Sequence, residues 1–212
     1  MSDHWEQVYA TRDVAQRSWS EDEPTTSLSL LEVLGVTPDT SLIDVGAGES
    51  ELVDHLLARG LRDLTVLDLA ANALAATRAR SGREVVTMVQ ADVTTWVSSR
   101  RFDVWHDRAV LHFLAPDLAA LYARTLRRVL APDGAVVIGV FALDGPESCS
   151  GLPVTRYGPE ELTALLGDDF SVVDQRHEIH RTPWGSEQAF QWVAARRHGA
   201  RAPRSSAPGT AS

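Results

Sequence analysis

The stretch "LIDVGAGES", residues 42–50, decides the fold that the sequence predicts. Its first four residues belong to a short run rich in branched apolar side chains, which is typical of a buried strand. Gly46 and Gly48 follow at once and allow a tight turn, and a helix-like segment, "ESELVDHLLARG", begins at residue 49. A strand, a glycine turn and a helix in this order indicate the edge at which open α/β sheets bind ligands.

Short apolar runs and helix-like segments continue to alternate along the chain. Further strand-like runs occupy residues 64–68, 85–89, 102–106 and 135–141, and helix-like segments occupy residues 71–82, 116–130 and 159–167. This alternation predicts β-α units around a mostly parallel sheet, and therefore an α/β fold. The last two runs, 170–180 and 186–196, are joined by the short turn "RTPWG" and are predicted to pair antiparallel.

The composition limits the classes of function. With 212 residues, 44% of them hydrophobic and 23% charged, the chain is predicted to form one soluble domain. The net charge of −9 argues against nucleic acid as a partner, and no apolar run approaches the roughly 20 residues that a membrane span needs. Cys149 is the only cysteine, so neither a disulfide nor a cysteine metal cage is predicted. The start of the chain lacks the pattern of a secretory signal, which predicts a cytoplasmic location.

Three acidic residues follow three successive predicted strands. Asp68 lies about 20 residues after the glycine turn, where an acid can accept hydrogen bonds from both hydroxyls of a ribose. Asp92 is placed to bind an adenine amino group, and Asp44 suits a cationic ligand such as a sulfonium. Glu51 stands where a dinucleotide fingerprint needs a third glycine or alanine, and together with Glu49 it would repel a pyrophosphate. An NAD-dependent oxidoreductase is therefore disfavoured.

These motifs, with "VLDLA", "QADV", "FDVWHD" and "LAPDGAVVIG", resemble the class I S-adenosylmethionine-dependent methyltransferases over residues 38–196. The resemblance implies a Rossmann-like three-layer sandwich with a mostly parallel seven-stranded sheet, in the order 3-2-1-4-5-7-6 with strand 7 antiparallel. It implies S-adenosyl-L-methionine as the cofactor. The cofactor-binding residues that it implies are Asp44, Gly46, Gly48, Asp68, Leu69, Asp92 and Val93. The family's frequent third glycine is Ser50 here.

The stretch "RFDVWHDRAVLHFL", residues 101–114, places polar side chains between two apolar runs. In the implied fold it ends beside the transferable methyl group, so Asp107, His106 and His112 are the catalytic candidates. A base is needed only when the acceptor holds a proton, and either histidine can instead be a polar residue bonded to the backbone at the rim. Arg108 is predicted either to pair with Asp107 or to bind an acceptor carboxylate.

Segments outside the repeated units are predicted to close over the acceptor. Residues 1–37 form a predicted cap, residues 38–197 the methyltransferase domain and residues 198–212 a disordered tail. Cys149 can be a reactive thiol in a mobile lid or, as is more common, an inert one. The predicted substrate-binding residues are Trp5, Tyr9, Trp19, Arg108, Arg156, Tyr157, His180 and Trp184.

The predicted function is transfer of a methyl group from S-adenosylmethionine to a nucleophilic acceptor. A small molecule is the favoured acceptor, because a pocket with two lids suits it better than a flat surface. A protein lysine methyltransferase is the first alternative, since "HW" followed by "Y" near the start resembles such enzymes and an acidic surface attracts lysine-rich targets. The second alternative is a non-catalytic partner protein that binds the same cofactor.

Overall fold

The computed structural model describes residues 2–11, 17–21, 23–81 and 85–198. The predicted disordered tail therefore lies outside the described residues from residue 199 onward. Parts of the predicted cap segment, residues 1, 12–16 and 22, lie outside them as well.

A seven-stranded sheet forms the centre of the described chain. Its strands, in the order along the chain, are β1 (Ser41–Val45), β2 (Asp63–Asp68), β3 (Val86–Gln90), β4 (Phe102–Arg108), β5 (Leu130–Phe141), β8 (Phe170–Arg181) and β9 (Glu187–Arg197). A separate two-stranded hairpin, β6 (Ser148–Cys149) and β7 (Leu152–Pro153), lies within the long loop after β5.

The strand order is β3-β2-β1-β4-β5-β9-β8, which confirms the predicted arrangement once the small hairpin is set aside. The first five strands pair in parallel, since helices or long connections separate them. β9 pairs antiparallel with both β5 and β8, as the short turn between the last two strands requires.

Helices cover both faces of the sheet. They are α1 (Ser2–Thr11), α2 (Thr25–Val33), α3 (Leu52–Ala58), α4 (Ala71–Ser81), α5 (Pro116–Val129) and α6 (Pro159–Leu166). α2 and α3 pack their buried leucines on one face, and α5 and α6 pack on the other. The sandwich therefore has the three predicted layers. α5 shows why these segments are helical: proline occupies its first turn, and residues 119, 122, 126 and 129 recur on one buried face.

One local prediction was wrong. The fifth strand was predicted at residues 135–141, but β5 begins at Leu130 and includes the turn-like sequence "APDG", residues 131–134. Phe102 pairs with Leu130 and Val104 pairs with Ala135, so two steps along β4 correspond to five along β5. The extra residues bulge out of the sheet, which lets the turn sequence remain inside the strand.

A buried chain of hydrogen bonds joins β4 to α5. The indole Nε1 of Trp105 donates to the Tyr122 hydroxyl over 2.8 Å, and that hydroxyl donates to Asp107 Oδ2 over 2.6 Å. Trp105, Tyr122 and Asp107 are all fully buried. The chain therefore satisfies polar groups that would each cost about 1–3 kcal/mol if they were left unpaired.

We expect Tyr122→Phe to lower the free energy of unfolding by about 1–3 kcal/mol, because Trp105 and Asp107 each lose a buried partner. Urea unfolding followed by tryptophan fluorescence measures the change. Tyr157→Phe is the matched control, because no described residue hydrogen-bonds to the Tyr157 hydroxyl although its ring is equally part of the core. An equal loss of free energy in both variants would show that this chain of hydrogen bonds contributes no stability of its own.

Candidate active site

A cleft opens at the carboxyl ends of β1 and β2, where the glycine turn lies. It encloses about 730 Å³, part of it open to solvent, and is called the large cleft here. The residues lining it are Trp5, Tyr9, Val45, Gly46, Leu67, Asp68, Leu69, Ala91, Asp92, Val93, Thr94, Val110, Phe113, Leu114 and Leu118. The ends of three neighbouring strands thus contribute to one site, as expected for an open α/β sheet.

Gly46 lies in the wall of the large cleft, where its backbone is in close contact with Val110. Its φ is +64°, and a Cβ at this position would lie 1.8 Å from Val110 Cγ2. Val110 cannot move aside easily, because its amide donates to the buried carboxylate of Asp107 over 2.8 Å. Only glycine satisfies both the backbone conformation and the contact.

Asp68 holds the glycine turn in place. Its Oδ2 accepts a hydrogen bond from the Gly48 amide, and its Oδ1 accepts one from the Ala70 amide, both over 2.8 Å. Burial raises the pKa of Asp68 to about 6, although these backbone hydrogen bonds act in the opposite direction. Asp68 therefore changes its charge within the physiological range of pH.

Asp92 and Asp44 differ in their surroundings. Asp92 is exposed, and both the amide and the hydroxyl of Thr94 donate to its Oδ1. Asp44 is buried, and its Oδ1 lies 2.7 Å from Nδ1 of His106, whose Nε2 lies 2.9 Å from the Ser27 hydroxyl. The other oxygen of Asp44, Oδ2, is buried without a hydrogen-bond partner, two residues before Gly46.

A second, smaller cleft adjoins the first and is called the small cleft here. It encloses about 390 Å³, again including space open to solvent. Its lining residues are Trp5, Trp19, Gly46, Arg108, Ala109, His112, Phe113, Phe141, Cys149, Gln188 and Phe190. Trp5, Gly46 and Phe113 line both clefts, so a ligand in one can touch a ligand in the other. Ala109 has a φ of +75°, a strained conformation for a residue with a Cβ.

His112 is a neutral group in the wall of the small cleft. It is fully buried, and burial followed by the nearby Arg108 charge lowers its pKa to about 3. The amide of Phe141 donates to its Nδ1 over 3.2 Å, so the ring proton of the neutral imidazole is on Nε2. This N–H is buried without a partner.

Arg108 has a different partner from the one predicted. Its Nη1 donates to the Trp19 carbonyl and its Nη2 to Glu21, so it pairs with neither oxygen of Asp107. Burial acts to raise the pKa of Glu21, but the hydrogen bond with His180 and the Arg108 charge outweigh it and lower that pKa. Two of the five N–H groups of Arg108 are therefore engaged by the N-terminal segment.

Asp107 and His106 do not line either cleft, in contrast to the predicted catalytic roles. Asp107 is fully buried and its carboxylate accepts hydrogen bonds from the amides of Val110 and Leu111 and from Tyr122. Both ring nitrogens of His106 contact buried protein groups. These two side chains point into the interior because their strand is covered on both faces, and they position neighbouring residues instead.

The N-terminal segment contributes aromatic walls. Trp5, Tyr9 and Trp19 line the clefts as the sequence suggested, and the rings of Trp5 and Phe113 meet edge to face at 4.9 Å. Tyr9 reaches over the glycine turn, since a Cβ on Gly48 would lie 2.2 Å from its hydroxyl.

Four of the predicted substrate residues lie away from both clefts. Arg156 bonds to the Gly145 carbonyl and pairs with Glu147, and Tyr157 packs in the core beside α6. His180 is buried against the Ser18 carbonyl and Glu21. Trp184 is 56% exposed in the turn between β8 and β9. The predicted lids therefore supply Cys149 to the small cleft, but not these four side chains.

Sequence reasoning missed several lining residues. They belong to apolar or alternating runs, a pattern that is typical of residues in a hydrophobic core. These lining residues are Val110, Phe113, Phe141, Gln188 and Phe190. The only available signal was Gln188, a polar residue at the start of the otherwise buried strand β9.

Comparison with known proteins identifies the family. A family model described as a methyltransferase domain matches residues 43–138. A solved 1,6-didemethyltoxoflavin-N1-methyltransferase from Burkholderia thailandensis, with bound 1,6-didemethyltoxoflavin and S-adenosylhomocysteine, is 26% identical. The match covers 90% of this chain and 81% of that chain, with a TM-score of 0.68. Together these matches support a class I S-adenosylmethionine-dependent methyltransferase.

Two further solved structures share the fold of this methyltransferase. The N-methyltransferase NodS from Bradyrhizobium japonicum WM9, in complex with S-adenosylhomocysteine, is 17% identical, with coverages of 92% and 99% and a TM-score of 0.70. The glycopeptide N-methyltransferase MtfA, complexed with sinefungin, is 17% identical, with coverages of 84% and 87% and a TM-score of 0.64. No curated protein sequence matches the chain. The predicted enzyme class and cofactor, S-adenosylmethionine, are confirmed.

Two other properties can be stated for the described part of this methyltransferase. None of its helices is long and apolar enough to cross a lipid bilayer. Its described residues contain no group of three or more histidine, cysteine or acidic side chains that could hold a metal ion.

We expect Gly46→Ala to abolish binding of S-adenosylhomocysteine, because the new methyl group would displace Val110 into the large cleft. Gly35→Ala is the matched control: Gly35 also has a positive φ, +68°, but a Cβ there meets nothing within 4 Å. Both variants carry the same backbone strain, and only the first should lose affinity in calorimetric titration. Equal affinity in the two variants would contradict the assignment of the large cleft.

The affinity for S-adenosylhomocysteine should fall about tenfold between pH 7 and pH 5. As the pH falls through about 6, Asp68 takes up a proton and can no longer accept hydrogen bonds from both ribose hydroxyls. Asp68→Asn should bind weakly at pH 7 and show no such dependence. Asp133→Asn, an exposed carboxylate in the β5 bulge, should keep the wild-type curve. A wild-type affinity that is flat over this range would exclude Asp68 as a ribose ligand.

Proposed function

We propose that this methyltransferase methylates a nucleophilic atom of a small molecule held in the small cleft, and that it does so without a general base. When bound, S-adenosylmethionine supplies an electrophilic methyl group on a sulfonium sulfur. The protein then has to bind the acceptor, align its lone pair and exclude water. The lining of the small cleft is the observation that carries the proposal.

The cofactor is proposed to occupy the large cleft. Asp68 accepts hydrogen bonds from the ribose, and Leu69 and Val93 flank the adenine. Asp92 already uses Oδ1 for Thr94, so its Oδ2 is the atom proposed to receive the adenine amino group. The remaining contacts are proposed for the turn of Asp44, Gly46 and Gly48, where the unpartnered Oδ2 of Asp44 favours a cationic end of the ligand. Ser50, which replaces the third glycine, accepts a hydrogen bond on its hydroxyl oxygen from the amide of Leu52, the first residue of α3.

The small cleft offers neither a carboxylate nor a basic histidine among the described residues. No carboxylate lines it, and its ionisable members are Arg108, His112 and Cys149. His112 has a pKa of about 3 and already carries its proton on the nitrogen that is not bonded to Phe141, so it cannot take another near neutral pH. Burial also raises the pKa of the Tyr9 hydroxyl far above its usual value, which keeps that group protonated. The acceptor atom must therefore have an available lone pair, as an amine, a ring nitrogen or a thiolate has.

The relative from Burkholderia thailandensis supports this choice, since its name assigns methylation at N1 of a small molecule. A protein lysine acceptor has less support, because no carboxylate lines the small cleft to receive an ammonium.

The first test is calorimetric titration with S-adenosylmethionine, S-adenosylhomocysteine and NAD. Binding of the two adenosyl ligands and not of NAD is the expected result. Failure of both adenosyl ligands to bind would overturn the proposed function.

The second test compares acceptors that differ in their need for a base. We expect methyl transfer from S-adenosylmethionine to isoquinoline, whose nitrogen has a free lone pair, to exceed transfer to 2-naphthol by about 10²-fold or more at pH 7, the amount that a missing base accounts for. Mass spectrometry of the products measures both rates. If 2-naphthol reacts equally well, the enzyme has a base and the proposal is wrong. A lysine-containing peptide mixture tests the alternative acceptor class in the same assay.

A further inference from the structure

Three residues that line the small cleft each have a polar side-chain atom that is buried without a hydrogen-bond partner. These atoms are Nε2 of His112, Nε of Arg108 and Oε1 of Gln188. Each lies on a residue that lines this cleft, and the His112 and Gln188 residues are at least nine-tenths buried. Such atoms cost about 1–3 kcal/mol each when they are unpaired, so their concentration in one cavity indicates that a ligand supplies the partners.

The chemical type of each atom is fixed by its other contacts. His112 receives the Phe141 amide on Nδ1, so its Nε2–H is a donor. The terminal nitrogens of Arg108 are bound to Trp19 and Glu21, so its Nε–H is a second donor. Oε1 of Gln188 is an acceptor. One donor lies on the last residue of β4 and the other on the short segment that follows it, while the acceptor enters from β9.

The remaining wall of the small cleft is mostly aromatic. Trp5, Trp19, Phe113, Phe141 and Phe190 line it, and the Phe141 and Phe190 rings meet edge to face at 4.9 Å. Aromatic walls favour flat, apolar rings, which can stack or meet them edge to face. The positive charge of Arg108 is offset by Glu21 at 2.6 Å, so the wall has no uncompensated cation to attract an anion.

We propose that the acceptor is a neutral, planar ring compound that carries, besides its nucleophilic atom, a hydrogen-bond acceptor next to a donor, as a cyclic amide does. The ring carbonyl would receive the N–H groups of His112 and Arg108, and the ring N–H would donate to Gln188. This inference rests on the proposed function and adds the class of compound that the small cleft selects. It makes Gln188, His112 and Arg108 specificity-determining residues rather than bases.

The test uses three bicyclic probes of nearly equal size. Isoquinolin-1(2H)-one has both the carbonyl and the N–H, its 2-methyl derivative has only the carbonyl, and isoquinoline has neither of the two. Each probe is titrated calorimetrically into the protein saturated with S-adenosylhomocysteine. We expect the wild-type protein to bind the lactam about tenfold more tightly than either of the other probes, because each lost partner leaves a buried group unpaired.

The variants assign each preference to one residue. Gln188→Leu should remove the preference for the lactam over its N-methyl derivative and retain most of its preference over isoquinoline. Arg108→Lys, which keeps the charge and removes Nε–H, and His112→Phe should reduce the preference over isoquinoline. Gln191→Leu is the matched control, because Gln191 is a buried glutamine on the same strand that does not line the small cleft. It should retain both preferences.

Binding of S-adenosylhomocysteine shows whether a negative result contradicts this inference or the proposed function. If the wild-type protein binds S-adenosylhomocysteine but none of the probes, or if Gln188→Leu leaves the probe preferences unchanged, the inference is overturned and the proposed function stands. Loss of S-adenosylhomocysteine binding by the wild-type protein would instead overturn the proposed function. Gln188→Leu carries the test alone should His112→Phe fail to fold.

Discussion

The buried carboxylate of Asp107 organises the chain between the two clefts. Its oxygens accept the amides of Val110 and Leu111, and this contact turns the backbone sharply at the end of β4. The turn sets Val110 against Gly46 and brings Phe113 into both clefts. A carboxylate held in the interior requires several donors, and burial still raises the pKa of Asp107 to about 6. Its position is therefore costly and is retained for the geometry that it imposes.

The same turn explains the chemistry of the small cleft. Ala109, which adopts a positive φ, allows the chain to change direction, and His112 follows it in the wall of the small cleft. The fixed tautomer of His112 then makes it a donor, and its surroundings prevent it from acting as a base. Methyl transfer from an activated sulfonium requires alignment more than proton transfer, so such a site is suited to nucleophiles that are ready to react.

The N-terminal segment completes the site through contacts distant in sequence. The carboxylate of Glu6 accepts the first amides of α4, and Arg17 pairs with Glu49 at 2.6 Å beside the glycine turn. The carbonyl of Trp19 also accepts a hydrogen bond from Arg108, which ties the segment to the end of β4. The segment thus helps to position one wall of each cleft.

Most of the fold could be predicted from the sequence, because it depends on local patterns. The alternation of apolar runs and helical segments predicted the seven strands of the sheet and helices α3 to α6 within a few residues, apart from the start of β5, and the turn before β9 predicted an antiparallel pair. Helices α1 and α2 and the small hairpin were not predicted. The glycine turn and the acids at 68 and 92 could be located for the same reason, since each is fixed by its distance from a strand end.

The direction and pairing of the polar side chains could not be predicted in this way. The sequence alone determined that residues 106–108 are polar at the end of a strand, but only the tertiary structure decided that His106 and Asp107 point inward and that Arg108 pairs with Glu21. It also brought Gln188, 76 residues after His112 in the chain, into the same cavity. These contacts join segments that are far apart in sequence. Packing and hydrogen-bond satisfaction select among the possible partners, and both depend on the fully assembled sheet.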